Sequence, residues 1–114
     1  RAELRCPDPA CNPYLAFAAL LQAGLEGIER GYELPDEMTT NLYRLSDEER
    51  EEQGVEALPG SLGEAVEALA GSELMSRALG EHIFPRYVEL KRREWDEYRI
   101  QVSEWEKRRY LSSL

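Results

Sequence analysis

The sequence predicts a mostly helical chain with one short N-terminal strand. Helix-start signals recur along it, the densest apolar runs repeat at three- and four-residue spacings, and strict polar–apolar alternation occurs at the N-terminus. With 114 residues, 42% of them hydrophobic and 32% charged, the chain is the size of one small folded domain, and composition alone names no activity.

From Arg1 to Arg5 the alternation defines a strand over residues 1–6, with Arg1, Glu3 and Arg5 on one face and Ala2 and Leu4 on the other. Pro7-Asp8-Pro9 ends its pairing, because proline supplies no backbone donor and restricts the residue before it. Asn12 and Pro13 start a helix over residues 12–30, the asparagine capping free amides and the proline losing nothing at the first helical position. Its residues Tyr14, Leu15, Phe17, Ala18, Leu21, Leu25 and Ile28 are dense enough to predict burial on most sides, with Gly31 as the stop. Gly24 and Gly27 weaken the helix intrinsically and point to close packing against another element.

Residues 31–45 lose all periodicity, and Pro35, Asp36, Thr39, Thr40 and Asn41 mark an irregular excursion of a length often used for function. A helical C-terminal region follows over residues 46–114. Capping-box patterns at Ser46–Glu49 and Ser61–Glu64 start two short helices, the first ending near Gly54 and the second near Leu69. Ser72 starts a third, stopped by Gly80. The longest helix begins at Phe84 or Pro85 and carries an aromatic seam of Phe84, Tyr87, Trp95 and Tyr98 with Val88 and Val102. A last box, Ser103–Glu106, leads into Trp105, Tyr110 and Leu111.

Fourteen basic against 23 acidic residues give a net charge of -9, which repels nucleic-acid phosphates and anionic membrane surfaces. No apolar run reaches the roughly 20 residues of a membrane span, and no leader pattern is present, so the cytosol is the expected compartment. The sequence opens on Arg1 within the expected strand and reads as a piece of a longer protein. Cys6, Cys11 and the single His82 are too few for a zinc site; the two thiols are expected to be free and structural, packing as small buried hydrophobes, and the histidine structural.

On one strand face, residues two apart are about 7 Å apart, so Glu3 stands between two guanidinium groups. A carboxylate holding a divalent cation between arginines that neutralise phosphate oxygens suits phosphoryl transfer. The same Arg-x-Glu-x-Arg pattern also describes a solvated strand face or an intrastrand row of ion pairs.

The run from Arg1 through Cys6-Pro7-Asp8-Pro9-Ala10-Cys11-Asn12-Pro13-Tyr14-Leu15 to Phe17 resembles the last active-site strand and following helix of bacterial type I glutamine synthetase. Leu58-Pro59-Gly60-Ser61-Leu62-Gly63-Glu64-Ala65, Leu79-Gly80-Glu81-His82-Ile83-Phe84, Glu94-Trp95-Asp96-Glu97-Tyr98-Arg99 and Gln101-Val102-Ser103-Glu104-Trp105-Glu106 continue the resemblance in family order. It implies the C-terminal part of an α+β catalytic domain, in a cytoplasmic ATP-dependent ligase of glutamine biosynthesis and nitrogen metabolism. Such an enzyme phosphorylates the glutamate side chain and lets ammonia displace phosphate, with Mg2+ or Mn2+ as cofactor.

By resemblance, Glu3 is a metal ligand, Arg5 contacts the glutamate carboxylate and the transferred phosphoryl group, and Arg1 binds nucleotide phosphate. The other metal ligands, the ammonium-site acids and most of the adenine pocket are not in this chain, so the chain alone is expected to be inactive. Tyr43 matches a region where one branch of the family is adenylylated, but Arg44 and Ser46 depart from that context toward the feedback-inhibited branch. The family forms two stacked hexameric rings, and residues 110–114 match a tail serving that assembly. The competing readings are a related ligase joining glutamate to another amine, and a noncatalytic helical interaction or regulatory module.

Overall fold

Asn12 turns an irregular lead-in into the first helix, its side-chain oxygen accepting from the amides of Tyr14 (3.0 Å) and Leu15 (3.4 Å). The computed structural model describes residues 3–111. Helix α1 spans Pro13–Arg30 and is closed by Gly31 at φ 64, ψ 43, where the Tyr32 amide reaches back to the Gly27 carbonyl at 3.0 Å. That left-handed cap suits glycine, which carries no Cβ to clash. After the excursion come a 3-10 turn at Leu42–Arg44, then α2 (Asp47–Glu52), α3 (Leu62–Ala70), α4 (Glu73–Arg99) and α5 (Glu104–Tyr110).

Of the strand expected over residues 1–6, the described part, residues 3–6, is irregular, and there is no strand among the described residues. The physical reason is the want of a partner. Alternation supplies a face, but a strand persists only when its amides and carbonyls pair with a neighbour, and the rest of the described chain is helices, turns and loops.

Serines start the later helices. Ser46 and Ser103 make complete capping boxes with Glu49 and Glu106, whose carboxylates accept from the serine amides at 2.7 Å. Ser61 caps α3 through the Glu64 amide, while the Glu64 carboxylate accepts instead from the Gly60 amide at 2.9 Å. Gly80 (φ 73, ψ 168) stops the helix begun at Ser72, as expected, but a second helical segment resumes directly after it rather than at Phe84 or Pro85, so the two run together as α4 across a kink. Because Gly80 already interrupts the hydrogen-bond ladder, Pro85 lies near the start of a fresh segment and removes only one further bond there.

The core is a seam between α3 and α4. Val66 and Val88 are its buried hydrophobes, with Leu69, Phe84, Tyr87 and Trp95 half-buried around them. Across its exposed edge, Arg92 donates to both carboxylate oxygens of Glu67 at 2.9 and 3.0 Å, and this pairing holds the Glu67 carboxyl below the usual glutamate range. Helix α1 packs on α4 from another side, tied by an ion pair between Glu26 and Arg77.

The burial expected for α1 is not found within this chain. Tyr14, Phe17, Leu21, Leu25 and Ile28 are exposed, while Gln22 and Glu26 are half-buried. A helix packed only by these neighbours would be expected to turn its large apolar side chains inward, so the arrangement presents a stripe suited to a further layer. A radius of gyration of 18.3 Å agrees; a compact domain of about 100 residues measures about 13 Å.

Candidate functional site

Glu3 and Arg5 are brought together: the Arg5 Nε donates to the Glu3 Oε1 at 2.8 Å, with both side chains open to solvent. Arg1, the third member of the charged set, lies outside the described residues. The pair sits on an irregular segment, so the neighbouring turn has to anchor it.

That turn runs over Cys6-Pro7-Asp8-Pro9-Ala10-Cys11. The Asp8 Oδ1 accepts from the Ala10 amide at 2.7 Å, and the Asp8 carbonyl accepts from the Cys11 amide at 3.0 Å. Pro7 and Pro9 fix φ on either side, and the proline after Asp8 disfavours helical backbone there. The turn therefore delivers the chain to Asn12 and α1 with little freedom. Both thiols beside it are free, and both are exposed rather than buried as expected.

Helix α1 is in turn fixed to α4 through Glu26. Its side chain is only 12% exposed, pairs with Arg77 and with Arg30 (3.2 Å), and accepts from the Tyr32 hydroxyl at 3.5 Å. Hydrogen bonds and packing thus run from the turn through α1 to the helical layer, and the Glu3–Arg5 pair joins the turn through the backbone alone. Sequence reasoning passed over Asp8 and Glu26. Asp8 was signalled by its place between two prolines, and Glu26 by a carboxylate within an apolar helix four residues before Arg30.

The other singled-out residues stand apart. Tyr43 is on the 3-10 turn, its amide donating to the Asn41 Oδ1 at 3.1 Å and its side chain fully exposed; no hydrogen bond or ion pair among the described residues links it to Glu3 or Arg5. His82 Nε2 is engaged by the Arg86 guanidinium at 2.9 Å, one helical turn on. An imidazole nitrogen facing a guanidinium accepts a hydrogen bond from it and is not disposed toward a cation.

Among the described residues no cluster of three or more histidine, cysteine or acidic side chains can enclose a metal ion. Glu3 fits a divalent cation as one ligand only. Magnesium is commonly held by one or two carboxylates together with substrate phosphates and water, so a lone solvent-accessible carboxylate is compatible with one share of such a site. No helix among the described residues is long and apolar enough to cross a membrane.

Residues 1–110 match the family model for "Glutamine synthetase, catalytic domain". Glutamine synthetase of Methanosarcina mazei is 54% identical over the whole chain, which covers 26% of that protein. Glutamine synthetase of Thermotoga maritima is 50% identical over 97% of this chain and 25% of its own length. A solved structure described as "Apo GmaS without ligand" superposes with a TM-score of 0.74 at 39% identity, covering 95% of this chain and 24% of that one. The chain thus spans about a quarter of the length of these relatives. Archaeal and bacterial relatives match alike, which leaves the expected bacterial type I, feedback-inhibited assignment one step finer than the family. This chain belongs to the glutamine synthetase catalytic-domain family, as its C-terminal region.

Proposed function

We propose that the chain supplies one edge of the active site of a glutamine synthetase, an enzyme that ligates ammonia to the glutamate side chain at the expense of ATP. The observation that carries this is the Glu3–Arg5 pair, 2.8 Å apart on a proline-stiffened lead into α1, in a chain of this family.

The roles follow from charge and shape. Glu3 is one carboxylate for a divalent cation, Mg2+ or Mn2+, which when bound would neutralise nucleotide phosphate oxygens. Arg5 carries a planar fork of donors matched to a carboxylate or phosphoryl group, and holds glutamate while charge develops on the transferred phosphoryl oxygens. Arg1 neutralises nucleotide phosphate. Until substrates engage them, Arg5 and Glu3 satisfy each other.

The remaining ligands and the ammonia-side acids come from the rest of the enzyme, so the chain alone makes no glutamine. The exposed apolar stripe of α1 is the surface on which that remainder packs. The enzyme is cytoplasmic, assembles as two stacked hexameric rings and belongs to the feedback-inhibited branch; of the tail 110–114 matched to that assembly, residues 112–114 lie outside the described residues. Arg44 and Ser46 beside Tyr43 support that branch over adenylylation.

The test replaces Glu3 with alanine in the full-length enzyme and follows ATP-dependent glutamine formation across a titration of Mg2+. Turnover falls and the metal requirement shifts upward; unaltered turnover and metal dependence would sink the role. Running ammonium beside polyamines as acceptors checks the substrate, and a preference for polyamines would overturn the ammonia assignment.

A further inference from the structure

We propose that Asp8 is a positioning residue for Glu3 and Arg5, acting through the turn that joins them to α1. The inference rests on the reading of Glu3 and Arg5 as active-site residues. Their own segment does not hold them: residues 3–6 form no regular element, and the ion pair between the two side chains fixes them to each other only.

Their orientation relative to the helical layer must therefore come through the backbone of residues 6–12. There, Asp8 is the one side chain that bonds the turn internally, its Oδ1 accepting from the Ala10 amide at 2.7 Å. The same residue's carbonyl accepts from the Cys11 amide at 3.0 Å, immediately before the Asn12 cap of α1. Pro7 and Pro9 fix φ but leave ψ free, and ψ decides the direction in which Arg5 and Glu3 leave the turn. The Asp8 carboxylate bonds across Pro9 and restrains ψ at Asp8 and Pro9, the part of that freedom on the α1 side of the turn.

Position matters at this scale, because a misplacement of about 1 Å at a reacting centre can cost about 100-fold in rate. The carboxylate acts here as a hydrogen-bond acceptor. Its charge is not what the turn requires, so the amide of asparagine, which keeps an oxygen at the same place, should serve.

The experiment compares Asp8→Ala, Asp8→Ser and Asp8→Asn in the full-length enzyme, with Glu3→Gln beside them. Asp8→Ala is expected to lower kcat about tenfold with KM for ammonia unchanged, at wild-type oligomer size and thermal midpoint, and Asp8→Asn to restore the rate. Asp8→Ser, with a shorter acceptor, falls between them and reports the same trend if the alanine variant does not fold. Equal rates for all three variants and wild type would overturn the proposal, as would an asparagine variant no better than alanine. If Glu3→Gln is also without effect, the active-site reading itself fails; if Glu3→Gln is inactive while Asp8→Ala is normal, only the positioning role fails.

Discussion

Gly63 of α3 lies directly beneath the indole of Trp95 on α4, so that a Cβ added at residue 63 would stand 2.7 Å from both the Nε1 and Cε2 of the ring. That is well inside a tolerated contact, and the missing side chain is what lets the two helices close over Val66 and Val88. Two effects oppose each other in Gly63→Ala. Alanine favours the helix by about 1 kcal/mol, while forcing an atom into a packed ring costs about 1–3 kcal/mol. The short distance, and a rigid ring as the obstacle, decide for the second. Gly63→Ala is expected to lower the thermal midpoint of the enzyme carrying this chain, with a net loss of about 1 kcal/mol; a raised midpoint would show that the ring moves freely.

Arg5 offers a sharper test of chemistry than a change to alanine. Lysine in its place keeps the positive charge but loses the fork that grips two oxygens at once. Arg5→Lys is therefore expected to lower kcat by about tenfold or more, with little change in thermal stability because lysine keeps the positive charge beside Glu3. Steady-state kinetics with glutamate as the varied substrate reads this, and a lysine variant with wild-type kcat would leave charge alone as the requirement.

Much of the helical layout was legible in the residues, because cap chemistry is local. Asn12, Ser46, Ser61, Ser72 and Ser103 each accept from an amide two or three residues on, and each choice is written within one turn of sequence. What depends on distant partners was not legible. The alternation in residues 1–5 describes a surface that fits a sheet, but among the described residues there is no partner strand to pair with it. Likewise the apolar residues of α1 announce burial without saying by what. Of the candidate site, the charges of Glu3 and Arg5 were visible from spacing, whereas the bonding of Asp8 emerges only when the turn closes.

The unpartnered stripe of α1 makes opposite predictions in two settings. In the isolated chain, Phe17 is 70% exposed and replacing Phe17 and Leu21 by serine is expected to reduce binding of an apolar dye and self-association. In the full-length enzyme the same changes fall at a packed interface and should cost about 3 kcal/mol or more. Chemical denaturation of the enzyme beside dye titration of the chain separates the two, and a variant harmless in the enzyme would show that the stripe stays uncovered.

The start of α5 carries a pH dependence with a definite sign. The Ser103 hydroxyl first, and the Ser103 amide second, hold the Glu106 carboxyl below its usual range. A depressed folded value means that the stabilisation is present above the unfolded value and is lost as pH falls through the folded one. The cap should therefore persist at neutral pH and loosen only below about pH 4. Carboxylate titration by NMR on the chain is expected to show Glu106 moving up toward its ordinary value in Ser103→Ala; an unmoved titration would remove Ser103 as the cause.

Gly80 and Gly31 both have positive φ, but their ψ values separate what each can tolerate. Gly31, at φ 64 and ψ 43, is in the left-handed helical region that asparagine also visits, so Gly31→Asn should be nearly neutral. Gly80, at φ 73 and ψ 168, is in a region open essentially to glycine alone. Among the described residues nothing stands within 4 Å of a Cβ built at either position, so contact within this chain does not separate them. Gly80→Ala and Gly80→Asn are each expected to cost about 1–3 kcal/mol through backbone conformation, and asparagine gives no rescue. Denaturant midpoints of the three variants in the full-length enzyme decide the matter: if Gly80→Asn is as well tolerated as Gly31→Asn, the break in α4 does not depend on glycine.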